Sequence, residues 1–141
     1  MGEIVQSGLT YRITNAKAGT VVDLSGGDNR SIIGYPYHAG PNQHWMVTWT
    51  GHAWTIRSLS SGLYLSLGGT PGDGTPLIAT STPFEFDIWH DETDKANYRI
   101  FVPNTKLNLD LYNDGNPTPG TPITLWYQWA GIHQTWKFER V

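Results

Sequence analysis

The chain has 141 residues, a formal net charge of −3 and no cysteine. That length suits one domain with a core large enough to hold without disulfides, and it leaves no thiolate chemistry available. Both signs of charge are dispersed, which argues against a phosphate-tracking nucleic-acid surface, and no apolar run approaches the roughly 20 residues that cross a bilayer.

Met1 to Gln6 lacks a basic flank and an apolar signal core, so a cytoplasmic, reducing location is expected. Gly2 follows Met1, but Gln6 stands where a myristoylation sequence wants Ser or Thr. The sequon Asn29-Arg30-Ser31 is expected to be idle without a secretory signal.

Short stretches of period-two character follow, rich in β-branched and aromatic residues, and they predict strands. In the first unit these centre on Tyr11–Ile13, Val21–Leu24, Ile32–Tyr35 and Trp45–Val47. Gly and Pro punctuate them at Gly26-Gly27, Gly40-Pro41, Gly68-Gly69, Pro71-Gly72 and Pro119-Gly120. The same marks then recur. Tyr11-Arg12-Ile13 is answered by Trp54-Thr55-Ile56 and Tyr98-Arg99-Ile100. Val22-Asp23-Leu24 is answered by Leu65-Ser66-Leu67 and Leu109-Asp110-Leu111, and Gln43-His44-Trp45 by Gln134-Thr135-Trp136. A repeat of this size means one structural unit used three times. Twelve short strands in three equal units suit a closed barrel capped by hairpins, a β-trefoil, with units near 8–51, 52–94 and 95–141 forming one domain. The fold class is all-β.

Overlaying the units separates scaffold from site. Trp45, Phe86 and Trp136 stay large and aromatic in all three, as a shared core demands. Asp23, Tyr35, Asn42 and Gln43 in the first unit match Asp110, Trp126, His133 and Gln134 in the third. The middle unit holds Ser66, Thr80 and Phe84 instead, so it is expected to be weak or dead. Residues that come and go as a set read as a site.

The chemistry suits a sugar. A carboxylate accepts two charge-assisted hydrogen bonds from vicinal hydroxyls, a flat ring meets the C–H face of a pyranose, and an amide or imidazole adds a polar contact. Such a site is shallow, so one sugar binds in roughly the 10 μM to mM range and repeated sites raise avidity. The bland alternatives are Asp23 and Asp110 as turn caps, and Tyr35 and Trp126 as barrel packing. The strip Trp126-Tyr127-Gln128-Trp129, with Trp49 and Trp54, has three readings: an extended site, an interface or core. No metal spacing is present among the histidines, and no cofactor is implied.

The Gln-x-Trp repeats, the Asp-Leu turns and the repeat period resemble the ricin B-chain-like β-trefoil lectins over essentially the whole chain. The missing cysteines and signal peptide make it most similar to the cytoplasmic mushroom lectins of that family. The resemblance implies galactose or N-acetylgalactosamine glycans, lactose-type sugars included, as partners, and a role in defence. It implies Asp23 or Asp110 on the sugar O3 and O4, Tyr35 or Trp126 beneath the ring, and Asn42 or His133 completing the contacts. Gln43 and Gln134 would hold the site's shape, while Gly26 and Gly27 would let backbone amides approach, a loop position held by Asn113 and Asp114 in the third unit. Lectins of this kind often form homodimers.

Two rivals stand beside this reading. Glycoside hydrolysis needs two carboxylates roughly 5–10 Å apart, and the repeat keeps Asp23 and Asp110 on separate lobes, so no enzyme is expected. A β-trefoil protease inhibitor would act through one rigid exposed loop, with Pro71–Thr75 and Trp129–His133 as candidates.

Overall fold

The computed structural model describes residues 4–141, and the readings that rest on Met1 and Gly2 lie outside them. The alternating stretches form twelve strands: β1 (Thr10–Asn15), β2 (Val21–Leu24), β3 (Ile32–Tyr35), β4 (Trp45–Trp49), β5 (Trp54–Ser58), β6 (Tyr64–Leu67), β7 (Leu77–Thr80), β8 (Asp87–His90), β9 (Tyr98–Phe101), β10 (Leu107–Leu111), β11 (Thr121–Tyr127) and β12 (Trp136–Arg140). Period two works as expected: β1 buries Tyr11, Ile13 and Asn15 and leaves Thr10, Arg12 and Thr14 partly exposed.

Six strands close a barrel. β1 pairs with β4 and β12, β4 with β5, and β9 with β8 and β12, all antiparallel. The remaining gap, between β5 and β8, is closed by a bridge in which Trp54 and Phe86 exchange backbone hydrogen bonds of 2.8 Å. The other six strands form three hairpins, β2–β3, β6–β7 and β10–β11. They meet one another at the cap: Ile33 lies opposite Pro122, Ser31 opposite Ile78, and Pro76 opposite Thr124. Full closure leaves no barrel edge to recruit another chain. This is the β-trefoil, three pseudo-symmetric units of four strands.

The repeated marks fill its core. Trp45, Phe86, Trp136, Ile13, Ile56, Ile100, Val22, Leu65 and Leu109 are all fully buried. A buried indole needs an acceptor for its N–H. Trp45 Nε1 donates to the Val22 carbonyl at 3.0 Å and Trp136 Nε1 to the Leu109 carbonyl at 3.2 Å. Each bond ties the barrel to the peptide just before an Asp of the cap. Phe86 has no such donor, so the middle hairpin lacks that tie.

Candidate functional site

Asp23 on β2 and Asp110 on β10 sit on strands buried along both faces, and only 3% and 4% of each residue is exposed. What covers them is a 3₁₀ turn, Pro41–Gln43 in the first unit and Ile132–Gln134 in the third. Gln43 and Gln134 are fully buried and wired alike. Gln43 Nε2 donates to Asp23 Oδ2 at 2.9 Å and to the Pro36 carbonyl at 3.0 Å, while its Oε1 accepts the His38 N–H at 2.9 Å. Gln134 Nε2 donates to Asp110 Oδ2 at 2.9 Å and to the Tyr127 carbonyl at 3.1 Å, and its Oε1 accepts the Trp129 N–H at 3.0 Å. The amide therefore buckles the cap strand to the loop that follows β3 or β11, and every polar atom it owns is used.

The residue before each Gln differs in what it leaves open. Asn42 Nδ2 donates to Asp23 Oδ1 and to the Leu24 carbonyl, both at 3.1 Å, so both carboxylate oxygens of Asp23 are engaged. His133 Nε2 lies 3.2 Å from Asp110 Oδ2, the oxygen that Gln134 already holds. Asp110 Oδ1 is left without a protein donor among the described residues. Burial pushes both carboxyls above the ordinary Asp value, against the pull of Gln43, His38 and Asn42 at one and of Gln134 and His133 at the other.

Two glycines make room for these side chains. A Cβ on Gly40 would meet His38 Cε1 at 2.4 Å and Asn42 Oδ1 at 2.6 Å. A Cβ on Gly131 would meet His133 Cε1 at 2.4 Å and Nδ1 at 2.7 Å. At both positions a side chain would force the neighbouring His ring to shift, through close approach rather than an unusual φ.

Each Asp opens into a shallow hollow. The third unit's encloses about 260 Å³ between Asp110 and His133, with walls from Trp126, Trp129 and Tyr112 and a rim from Asn113 and Asp114. That rim is a left-handed turn, with φ of 56°, 55° and 76° at Asn113, Asp114 and Gly115. Lys17 of the first unit clamps it by donating to the Asp114 carbonyl at 2.6 Å. The first unit's hollow encloses about 470 Å³, with Asp23, Asn42, Tyr35, Ile33 and His38 on one side and Ser25, Gly26 and Gly27 on the other. A Cβ on Gly26 would meet nothing within 4 Å, so the empty site itself does not demand glycine there. Among the described residues no three His, Asp or Glu side chains gather as a metal would need.

Asp23, Gly26, Gly27, Tyr35 and Asn42 line the first hollow and Asp110, Asn113, Trp126 and His133 the third, with Gln43 and Gln134 directly behind them, while Trp49 and Trp54 pack on each other away from both. His38, Tyr112, Ser25 and Ile33 were not assigned from sequence, and Trp129 appeared there only within the aromatic strip whose three readings stayed open. For two of them a signal existed: His38 follows Tyr35, and Trp129 follows Trp126, at the same spacing, each just before the glycine that makes room. In the middle unit only residues 81–85 separate β7 from the core Phe86, where the first and third units have 36–44 and 128–135. Phe84 turns onto the core instead, 4.8 Å from the Phe86 ring. No 3₁₀ turn forms there to cover Ser66.

The two loops considered for protease inhibition are tied down. Gly74 N donates to the Leu125 carbonyl, Leu125 N to the Thr75 carbonyl, and Asp73 accepts the Tyr127 N–H, all at 2.8 Å. Trp129–His133 is held by Gln134 and forms a wall of the hollow.

Comparison with known proteins agrees with this geometry. The family described as "Ricin-type beta-trefoil lectin domain-like" matches residues 3–80. The ricin B-like lectin of Macrolepiota procera, solved in complex with lactose, is 60% identical, with a TM-score of 0.97 over 99% of this chain and 100% of that one. The Rhizoctonia solani agglutinin is 27% identical, with a TM-score of 0.88 over 99% and 100% of the two chains. The designed threefold-symmetric protein ThreeFoil shares the fold at 20% identity, with a TM-score of 0.85 over 94% and 99%. The chain belongs to the ricin-type β-trefoil lectin family.

Proposed function

We propose that this lectin binds terminal galactose or N-acetylgalactosamine, without catalysis, at two sites built on Asp23 and Asp110. One observation carries the reading: the same buried carboxylate, buckled by the same glutamine to the same loop, is built twice and opens each time beside an aromatic wall. Asp110 Oδ1 is positioned to accept a sugar hydroxyl, Trp126 offers the ring face, and His133 supplies a further polar contact. At the first site Tyr35 and His38 take the place of the two tryptophans, and Asn42 that of His133. The lactose bound by the Macrolepiota procera relative supports a galactose-type ligand.

Each buried carboxylate is fixed by its glutamine, which supports recognition rather than hydrolysis, and the Asp114 carboxylate on the rim of the third hollow is matched only by Ser25, Gly26 and Gly27 at the first. A homodimer would double the number of sites and the avidity gained on clustered glycans. The cysteine-free composition supports a cytoplasmic location.

Titration calorimetry with lactose tests the reading. The expected result is binding in roughly the 10 μM to mM range, lost in the Asp23→Asn/Asp110→Asn double variant while the fold persists. Retained binding in that folded variant refutes the site assignment.

A further inference from the structure

Recognition at the third site does not by itself explain Arg99. The residue is 5% exposed, and burying an unpaired cation is strongly unfavourable. Here it is matched on all sides. Nε donates to Asp91 Oδ1 at 2.8 Å, Nη1 to Asn108 Oδ1 at 3.1 Å and to Gln134 Oε1 at 3.0 Å, and Nη2 to the Trp129 carbonyl at 3.0 Å. Asp91 is itself oriented, its other oxygen accepting the Asp94 N–H at 2.9 Å.

The barrel does not require this cation. The equivalent residue of the first unit, Arg12, turns outward to Glu139 and lies 4.5 Å from the Tyr37 ring centre, and the middle unit has Thr55. The partners differ together. Where the third unit's Arg99 has Asn108 the first unit has Val21, and where Asp91 follows β8 and bonds the Asn97 carbonyl, Val141 follows β12 and bonds the Thr10 carbonyl; neither has a side chain that can receive a guanidinium. A buried Arg99–Asp91 ion pair with Asn108, assembled behind one site alone, calls for a reason local to that site.

We propose that Arg99 is a positioning residue that makes the Asp110 site the preformed and tighter of the two. This rests on both hollows being sugar sites. Gln134 Oε1 carries two donors, Arg99 Nη1 and the Trp129 N–H, whereas Gln43 Oε1 carries the His38 N–H alone. Turning the Gln134 amide over would set its NH₂ against the guanidinium, so Nε2 stays on Asp110. The Trp129 peptide is gripped at both ends, its N–H by Gln134 and its carbonyl by Arg99. Its indole stands edge-on to His133, 5.1 Å between ring centres, so the wall is in place before sugar arrives. Ordering done in advance is ordering that binding need not supply.

The test is a site-resolved NMR titration with lactose, reading the Gly26 and Gly27 amides for the first site and the Asn113 amide with the Trp126 indole N–H for the third. Wild type is compared with Arg99→Lys, which keeps a charge beside Asp91 but lacks the fork. An Asp91→Asn/Arg99→Met double variant removes both buried charges together, so that a misfolded single variant leaves the test intact. Expected are a tighter third site in wild type, and in either folded variant a weakening there of about tenfold or more with the first site unchanged. The Gln134 side-chain amide signals should also collapse toward those of a free glutamine, which a loss of packing alone would not cause. Equal affinities in wild type, or variants that keep both the third-site affinity and the Gln134 signals, overturn the proposal. Lactose shifts at neither reporter in wild type would sink the sugar-site reading and this proposal with it. Normal binding at both sites with no Arg99 effect sinks this proposal alone.

Discussion

Asp110→Asn separates what the site does from what the fold needs. The substitution keeps the shape of the side chain and removes its charge. Asp110 Oδ2 accepts from Gln134 at 2.9 Å and faces His133 at 3.2 Å, while Oδ1 is left for ligand. An asparagine that keeps its oxygen on Gln134 must place an NH₂ where the free acceptor was. Hydrogen bonds to a charged acceptor contribute about 1.5–3 kcal/mol each, against about 0.5–1.5 for neutral pairs. Two sugar hydroxyls therefore lose about 2 kcal/mol together, roughly a thirtyfold loss of affinity at that site.

Stability should move the other way. Burial raises the folded-state pKa of Asp110 above its ordinary 3.8, so the ionised group favours the unfolded chain. A raised carboxyl contributes stability below its unfolded pKa and loses it as pH rises through the folded pKa. At neutral pH the charge is thus a net cost that asparagine removes. Thermal denaturation at neutral pH should show the variant equal to or more stable than wild type, with the advantage vanishing once pH falls below about 3.8. A variant clearly less stable at neutral pH would refute the burial argument, and one that still binds lactose at the Asn113 and Trp126 reporters would refute the site.

Lactose binding at both sites should fall on acidification, with a midpoint above the ordinary Asp value, because burial raises Asp23 and Asp110 alike. Calorimetry across that range checks this, and a flat profile down to about pH 3.8 in folded protein contradicts it. Gly131→Ala should abolish third-site binding and cost about 1–3 kcal/mol of stability in urea denaturation, because the new methyl must displace the His133 ring. Trp136→Phe orphans the Leu109 carbonyl and should cost about 1–3 kcal/mol. The core will accept the ring, as Phe86 shows, so NMR titration should find the third site weakened more than the first. Grafting Ser66→Asp, Thr80→Trp and Phe84→Gln into the middle unit should create no lactose site, since residues 81–85 are too few to form the covering 3₁₀ turn. A third set of lactose-dependent shifts would show that the side chains suffice.

The fold was legible because the repeat writes its core three times. Trp45, Phe86 and Trp136 mark the barrel, and the Asp-Leu and Ser-Leu turns mark the cap hairpins, so strand order follows from spacing. The candidate site's Asp, aromatic and Asn or His stand out in the sequence because the middle unit lacks them together. His38 and Trp129 were less so, since neither resembles the other; only the shared backbone N–H bond to glutamine makes them equivalent. Arg99 was not legible at all. Its sequence position matches Arg12, and what drives one inward and the other outward is a set of partners at Asp91 and Asn108 that only the closed barrel brings together.

That difference between two arginines shows how a symmetric scaffold yields unequal sites. The first and third units each supply an Asp, a glutamine and an aromatic, but the surroundings of the third site are drawn from all three units. Lys17 of the first clamps its rim, the middle unit's loop backs its tryptophan wall through Asp73 and Gly74, and Asp91 from the start of the β8–β9 turn anchors Arg99. The middle unit thus builds no covering 3₁₀ turn of its own, while its loop supports a neighbour's hollow. Without such a turn the barrel's pairing is still complete, because closure runs through the Trp54–Phe86 bridge. Sites on this fold can therefore be lost or sharpened one at a time, and the barrel beneath them stays the same.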